Sequence, residues 1–197
     1  MSSDIKNLGA GKFKRKVRRK LGLFIDGVGL DRATRRISRK VDLQKFVAGL
    51  TEGLVPSIAR YYTLIPCEDD ARQLAFLDAV SRAGMDVVHK RLPPKHIKRP
   101  VAVDVSMATD ILTFSFGAYD NPELSLEESV KAPQEEAVQR IALIVCPSRE
   151  LIPAIETATR LGVKTSLADF GLYGSSDDWR GIDRWIDLST SETIWRD

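Results

Sequence analysis

Leu21-Gly22-Leu23-Phe24-Ile25-Asp26-Gly27 is the stretch that decides the fold. A short continuous apolar run suits a strand buried on both faces of a parallel sheet, and the Asp-Gly pair behind it marks a turn. Residues 57–65, 85–90, 141–145 and 163–167 read as further strands, with a last short one at 184–188. Asp42 is placed to cap a helix over Leu43, Phe46, Val47 and Leu50. Another helix opens at the acids Glu68, Asp69 and Asp70, shows one side at Ala71, Leu74, Leu77, Asp78 and Ser81, and stops at Gly84. Residues 104–116 read as a helix with Val105, Ala108, Ile111 and Leu112 as its buried stripe, and residues 150–161 as one stopped by Gly162. Residues 28–40 read as a basic loop, and a short helix is expected near Ile182. Strands alternating with helices predict the α/β class: a three-layer α/β/α sandwich around a mostly parallel sheet. In such sheets ligands bind beyond the carboxyl ends of the strands, where strand order switches.

The charge is uneven along the 197 residues. A net +3 conceals thirteen Lys/Arg against three Asp in residues 1–40, and 17 Lys/Arg against 24 acids in residues 41–197. Residues 1–20 therefore read as a basic flexible tail, 21–189 as the domain, 117–138 as an acidic insertion with a short helix at 126–130, and 190–197 as a C-terminal tail. A basic arm of this kind is a cue for nucleic acid or an acidic surface. No apolar run approaches the ~20 residues that span a bilayer, so no membrane contact is expected. The first twenty residues lack the apolar segment of a secretory signal. Cys67 and Cys146 stand far apart, which excludes a cysteine zinc cluster and fits a reducing cytoplasm. Two histidines, His89 and His96, are too few for a histidine metal site. Metal chemistry would rest on carboxylates, which favours Mg2+ or Mn2+.

Four carboxylates fall at the strand–helix junctions: Asp26 after the first strand, Asp104 and Asp110 at the helix after the third, Glu150 after the fourth. Clustered carboxylates repel unless a cation or protons intervene. A hard divalent ion would neutralise them, activate water and steady a phosphoryl oxygen. Asp104 and Asp110 lie six residues apart, about 240° round a helix, so both cannot face one ion from a regular helix. The bland alternative is that each acid is a turn former or helix cap.

These segments resemble the NYN domains of the PIN-like nuclease superfamily, in particular a LabA-like bacterial subgroup. Leu23-Phe24-Ile25-Asp26-Gly27 is similar to the family's opening strand-Asp-Gly. Val103-Asp104-Val105-Ser106-Met107-Ala108-Thr109-Asp110 looks like its V-D-V-x-x-A-x-D helix, behind a basic loop. Residues 141–153, Gly162-Val163-Lys164-Thr165 and Asp183-Arg184-Trp185-Ile186-Asp187-Leu188 resemble its later strand, turn, helix and closing segments. The resemblance implies a metal-dependent endoribonuclease with catalytic Asp26, Asp104, Asp110 and Glu150, in which Asp26, Asp104 and Glu150 hold Mg2+ or Mn2+. It departs at three places. Gly29 stands where the family commonly has Asn, Ser148 stands at the first Asp of the turn after the fourth strand, and Arg149 adds a cation. The alternative is a catalytically degenerate NYN domain that binds RNA or a protein, and a homodimer is a third arrangement.

Arg32, Arg35, Arg36, Arg39 and Lys40 follow the first strand end, and Lys95, Lys98 and Arg99 sit in the Pro-rich loop before residue 104. Both groups are placed to hold RNA phosphates, with binding that weakens as salt rises. Tyr61, Tyr62 and Trp179 are stacking candidates, though core packing is the commoner role of such residues. Cys146-Pro147-Ser148-Arg149 lacks the Gly-rich cradle of a thiolate phosphatase. No P-loop or dinucleotide fingerprint follows the first strand.

Overall fold

The computed structural model of the chain describes residues 17–68, 71–120, 127, 138–171, 179 and 181–196. Six strands form one sheet: β1 (Arg18–Asp26), β2 (Ile58–Ile65), β3 (Asp86–Arg91), β4 (Val138–Val145), β5 (Lys164–Asp169) and β6 (Arg184–Asp187). All neighbours pair in parallel, in the order β3-β2-β1-β4-β5-β6. Among the elements of the described residues, five helices cover the sheet: α1 (Gly27–Arg36), α2 (Leu43–Thr51), α3 (Ala71–Arg82), α4 (Asp104–Phe116) and α5 (Ile152–Arg160). The expected α/β sandwich is what forms.

The opening apolar run explains the layers. Along β1, Leu21, Leu23 and Ile25 pack with Leu30 of α1, Phe46 of α2 and Val80 of α3. Phe24 points the other way, onto Met107, Ile111 and Phe114 of α4 and Ile155 of α5. Successive side chains of a strand alternate between faces, so a central strand must be apolar at nearly every position. The chain leaves β1 outward through β2 to β3, crosses the sheet on α4, and restarts at β4 on the other side of β1. Strand order therefore reverses between β1 and β4, and the crevice at their carboxyl ends is the place for a site.

Several boundaries and faces differ from the sequence reading. Arg18, Arg19 and Lys20 belong to β1 rather than to a tail, paired with Val138, Gln139 and Arg140. Lys20 is held by Asp120 at 2.5 Å, and Arg140 by the same carboxylate at 2.6 Å, so three charges meet at the base of the sheet. Residues 28–36 are helical, not a loop. Gly27, Leu30, Ala33 and Thr34 form a buried stripe, and Asp26 accepts hydrogen bonds from the amides of Val28 and Gly29 as the cap. The stripe of α4 runs through Met107, Ile111, Phe114 and Ser115, while Val105 is exposed. On α3 only Val80 is fully buried, with Gln73 and Leu77 half-buried, so Ala71, Leu74, Asp78 and Ser81 do not mark its inner side. Ile182 lies outside any helix.

The segment 190–197 is no free tail over its described part. Ile194 and Trp195 are buried, Trp195 bridges to Val41, and the amides of Asp42 and Arg196 donate to the carbonyls of Ile194 and Lys40. Asp69, Asp70 and, apart from Glu127, the expected helix at 126–130 lie outside the described residues, as do residues 1–16 of the expected tail. No helix of the described residues is long and apolar enough to cross a membrane.

Candidate active site at the strand switch

Asp26 ends β1 and caps α1 at once. Its Oδ1 accepts both cap bonds, from Val28 and Gly29 at 3.0 Å each, which leaves Oδ2 without a hydrogen bond to a described residue. The residue is 5% exposed. Burial pushes its carboxyl above the ordinary carboxylate value, and the charge of Asp104 pushes the same way. The Gly29 and Val28 amides and the Arg32 guanidinium pull it back. Asp26 and Asp104 are thus electrostatic neighbours brought together from β1 and the first turn of α4.

Ser148, on the turn after β4, donates its hydroxyl to Asp104 Oδ1. The residue standing at the family's first acid of that turn therefore binds the carboxylate it would otherwise repel. Glu150 is exposed on the 3-10 turn Arg149–Leu151. Asp110 is engaged elsewhere. Arg60 pairs with it at 2.6 Å, and the hydroxyls of Tyr62 and Tyr119 donate to its two oxygens at 2.7 Å each. This clamp ties β2 to α4 and occupies both oxygens of Asp110. It holds the Tyr62 and Tyr119 phenols protonated: burial first, then the Asp110 carboxylate, pushes both up, Tyr119 to about 12. Among the described residues no group of three His, Cys, Asp or Glu side chains could hold a metal ion. The expected set of Asp26, Asp104 and Glu150 is therefore not assembled as a three-carboxylate centre. What remains is a pair, Asp26 and Asp104, each with one oxygen that no described residue hydrogen-bonds. Two hard oxygen donors in mutual repulsion still fit Mg2+ or Mn2+, which keeps waters and takes further ligands from a substrate phosphate.

A cleft of about 270 Å³ opens beside this pair, lined by Gly29, Arg32, Cys146, Ser148, Arg149 and Asp169. Asp169 escaped the sequence reading. It closes β5 as Asp26 closes β1, is 8% exposed, and is held above the usual range by burial. The signal was present in Leu167-Ala168-Asp169, an acid directly behind an apolar strand. Cys146 is no nucleophile here. The residue is 5% exposed, and burial, followed by the charges of Asp169 and Asp26, drives its pKa well up.

Gly29 is explained by packing. A Cβ there would lie 2.1 Å from the Cys146 carbonyl oxygen. Cys146 has φ +50°, which turns that carbonyl onto the first turn of α1. Of the cations expected to hold RNA, Arg32 borders the cleft, while Arg35 pairs with Asp31 at 2.9 Å and Arg39 lies 4.0 Å over the Trp195 ring. Arg36, Lys40, Lys95, Lys98 and Arg99 are exposed.

The comparisons with known proteins agree with this architecture. A family model described as the NYN domain matches residues 20–122, just over half the chain, from within β1 to beyond α4. A crystal structure of a Vibrio parahaemolyticus protein of unknown function superposes with a TM-score of 0.67 at 13% identity, covering 91% of this chain and 97% of that one. At that identity the likeness speaks for the fold alone. None of the curated proteins matches the sequence.

Proposed function

The chain belongs to the NYN domain family, and from that premise we propose that it is a metal-dependent endoribonuclease acting at the β1/β4 switch. The observation that carries the proposal is that the partners of Asp26 and Asp104, Gly29 and Ser148, line one cleft at the carboxyl edge together with Arg32. Asp26 and Asp104 would hold Mg2+ or Mn2+, and the ion would supply an activated water and charge stabilisation for phosphodiester hydrolysis. The chain's own part is positional. The Val28 and Gly29 amides fix the Asp26 rotamer, the Ser148 hydroxyl fixes Asp104, and Arg32 lines the adjoining cleft as a cation for a phosphate. Asp169 stays in the cleft as a buried acid able to hold a proton. Asp110 and Glu150 fall outside the reacting group in this reading.

The test is cleavage of labelled RNA during a manganese titration. Asp26→Asn is expected to abolish cleavage, and cleavage unchanged in that variant overturns the site. Ser148 favours a second reading, a degenerate domain that binds RNA without cutting it. Under it the wild type stays inactive, and Ser148→Asp brings cleavage up by adding the missing carboxylate. Under the first reading the wild type cuts and Ser148→Asp changes chiefly its metal requirement.

A further inference from the structure

A second cavity, about 540 Å³, lies on the other side of α1, between α1, the end of β2 and α3. It starts at Gly27, the residue after Asp26, so it adjoins the carboxylate pair. Its floor is aromatic. Tyr61 is 3% exposed and packs edge-to-face with Phe76, ring centroids 5.8 Å apart at 69°. Phe76 and Leu92, both lining the cavity, are each 39% exposed. The Tyr61 ring is pressed on the start of α1: a Cβ at Gly27 would fall 2.3 Å from the ring and 2.7 Å from its oxygen. Its hydroxyl makes no hydrogen bond to any described residue and is not fully buried, so it is open to a partner from the cavity. At the rim Arg35 is paired with Asp31, which leaves Lys40 and Arg196 as the net positive charge.

An exposed aromatic face, an unpaired hydroxyl at the floor and a cationic rim match one chemistry: a flat heteroaromatic ring bearing hydrogen-bonding edges and joined to a phosphate. We propose that this groove takes an unstacked nucleobase of single-stranded RNA, stacked on Phe76 and hydrogen-bonded by Tyr61, with the adjoining phosphate on the cationic rim. The proposal rests on RNA being the substrate. It goes beyond that reading in assigning a base subsite on the α3 side of α1, and hence a preference for unpaired strands. A duplex cannot offer a base to the slot without unstacking it, whereas a single strand can do so at little cost.

The experiment uses the full chain in EDTA, so that binding is read without cleavage. Fluorescence anisotropy compares a single-stranded RNA 12-mer, the same length of abasic ribose-phosphate strand, and an RNA duplex. The wild type is expected to bind the intact strand about tenfold or more tightly than the abasic one, as one stacked base implies. Phe76→Ala, at an exposed position that leaves the core intact, should close most of that gap and leave abasic binding unchanged. Tyr61→Phe should reduce it by a smaller factor. A wild type that binds both strands equally, that binds no RNA, or whose preference survives Phe76→Ala overturns the groove. Loss of cleavage in Asp26→Asn with unchanged anisotropy in Phe76→Ala would sink the groove and leave the nuclease. The converse pair of results would sink the nuclease and leave the groove.

Discussion

At the residue scale, Asp26 is asked to cap a helix and to sit in the field of another carboxylate. Burial, and then Asp104, hold its carboxyl above the ordinary 3.8. The native chain therefore takes up this proton more readily than the unfolded one. The stability tied to it is fully present below the unfolded value and is lost as pH rises through the folded value. At neutral pH an ionised Asp26 works against the fold, as functional groups often do. Asp26→Asn keeps an oxygen for the Val28 and Gly29 amides and removes the charge. Its Tm at pH 7 should exceed that of wild type by roughly 2–4 °C, with the gain shrinking towards about pH 4. Thermal melts across that range check this; a shift independent of pH would mean that the charge is not its cause. Manganese should raise the wild-type Tm and leave that of Asp26→Asn unmoved, since only a binding-competent native state gains from ligand. Asp26 and Asp104 were legible in the sequence because an acid behind an apolar run, or opening a helix, has a place in the fold before any contact is known. Asp110 was only half legible. Its phase on the helix showed that it points away from Asp104, but Arg60 and Tyr62, its partners, lie on another strand.

At the element scale, α1 is the instructive case. Its buried stripe is Gly27, Leu30, Ala33 and Thr34, of which only one is a large apolar residue. Five cations across residues 32–40 mask so thin a period, and the segment reads as a loop. The strand before it and the carbonyl of Cys146 make it a helix packed end-on, with Gly29 at the contact. Gly29→Asn, which would restore the residue common in the family, should cost about 1–3 kcal/mol through overpacking against backbone. Urea unfolding measures this, and an unchanged midpoint would show that the β4 turn yields. Helix α4 was read correctly in extent and in part of its face, with Ile111 buried but Val105 exposed, and on α3 only Leu77 of the expected side is half-buried. Short helices carry many apolar residues, and those that point inward are chosen by the sheet they rest on. Val105 is 73% exposed for that reason, although its neighbours Val103 and Met107 are buried.

At the scale of the whole molecule, the chain closes on itself. Trp195 is 5% exposed, lies 5.7 Å from the Phe170 ring, donates its Nε1 to the Ser191 carbonyl at 2.7 Å, and bridges to Val41. The end of the chain thereby seals the α2 side of the sheet and sets Arg196 at the rim of the groove. Trp195→Ala should destabilise the protein by about 3–5 kcal/mol, the usual cost of deleting a buried large aromatic. Chemical denaturation would read it, and a cost below 1 kcal/mol would show this closure to be ornamental. The succession of strands, the parallel sheet and the acids at strand ends were all determined by the sequence itself. Each rests on local pattern: a strand buried on two faces must be apolar throughout, and its carboxyl end must turn. Which acids meet was decided only by the tertiary structure. Ser148 reaches Asp104 across 44 residues and Tyr62 reaches Asp110 across 48. Contacts of that span depend on strand order and helix rotation. These draw Asp26 and Asp104 together, engage Asp110 in its own clamp, and leave Glu150 exposed on its turn.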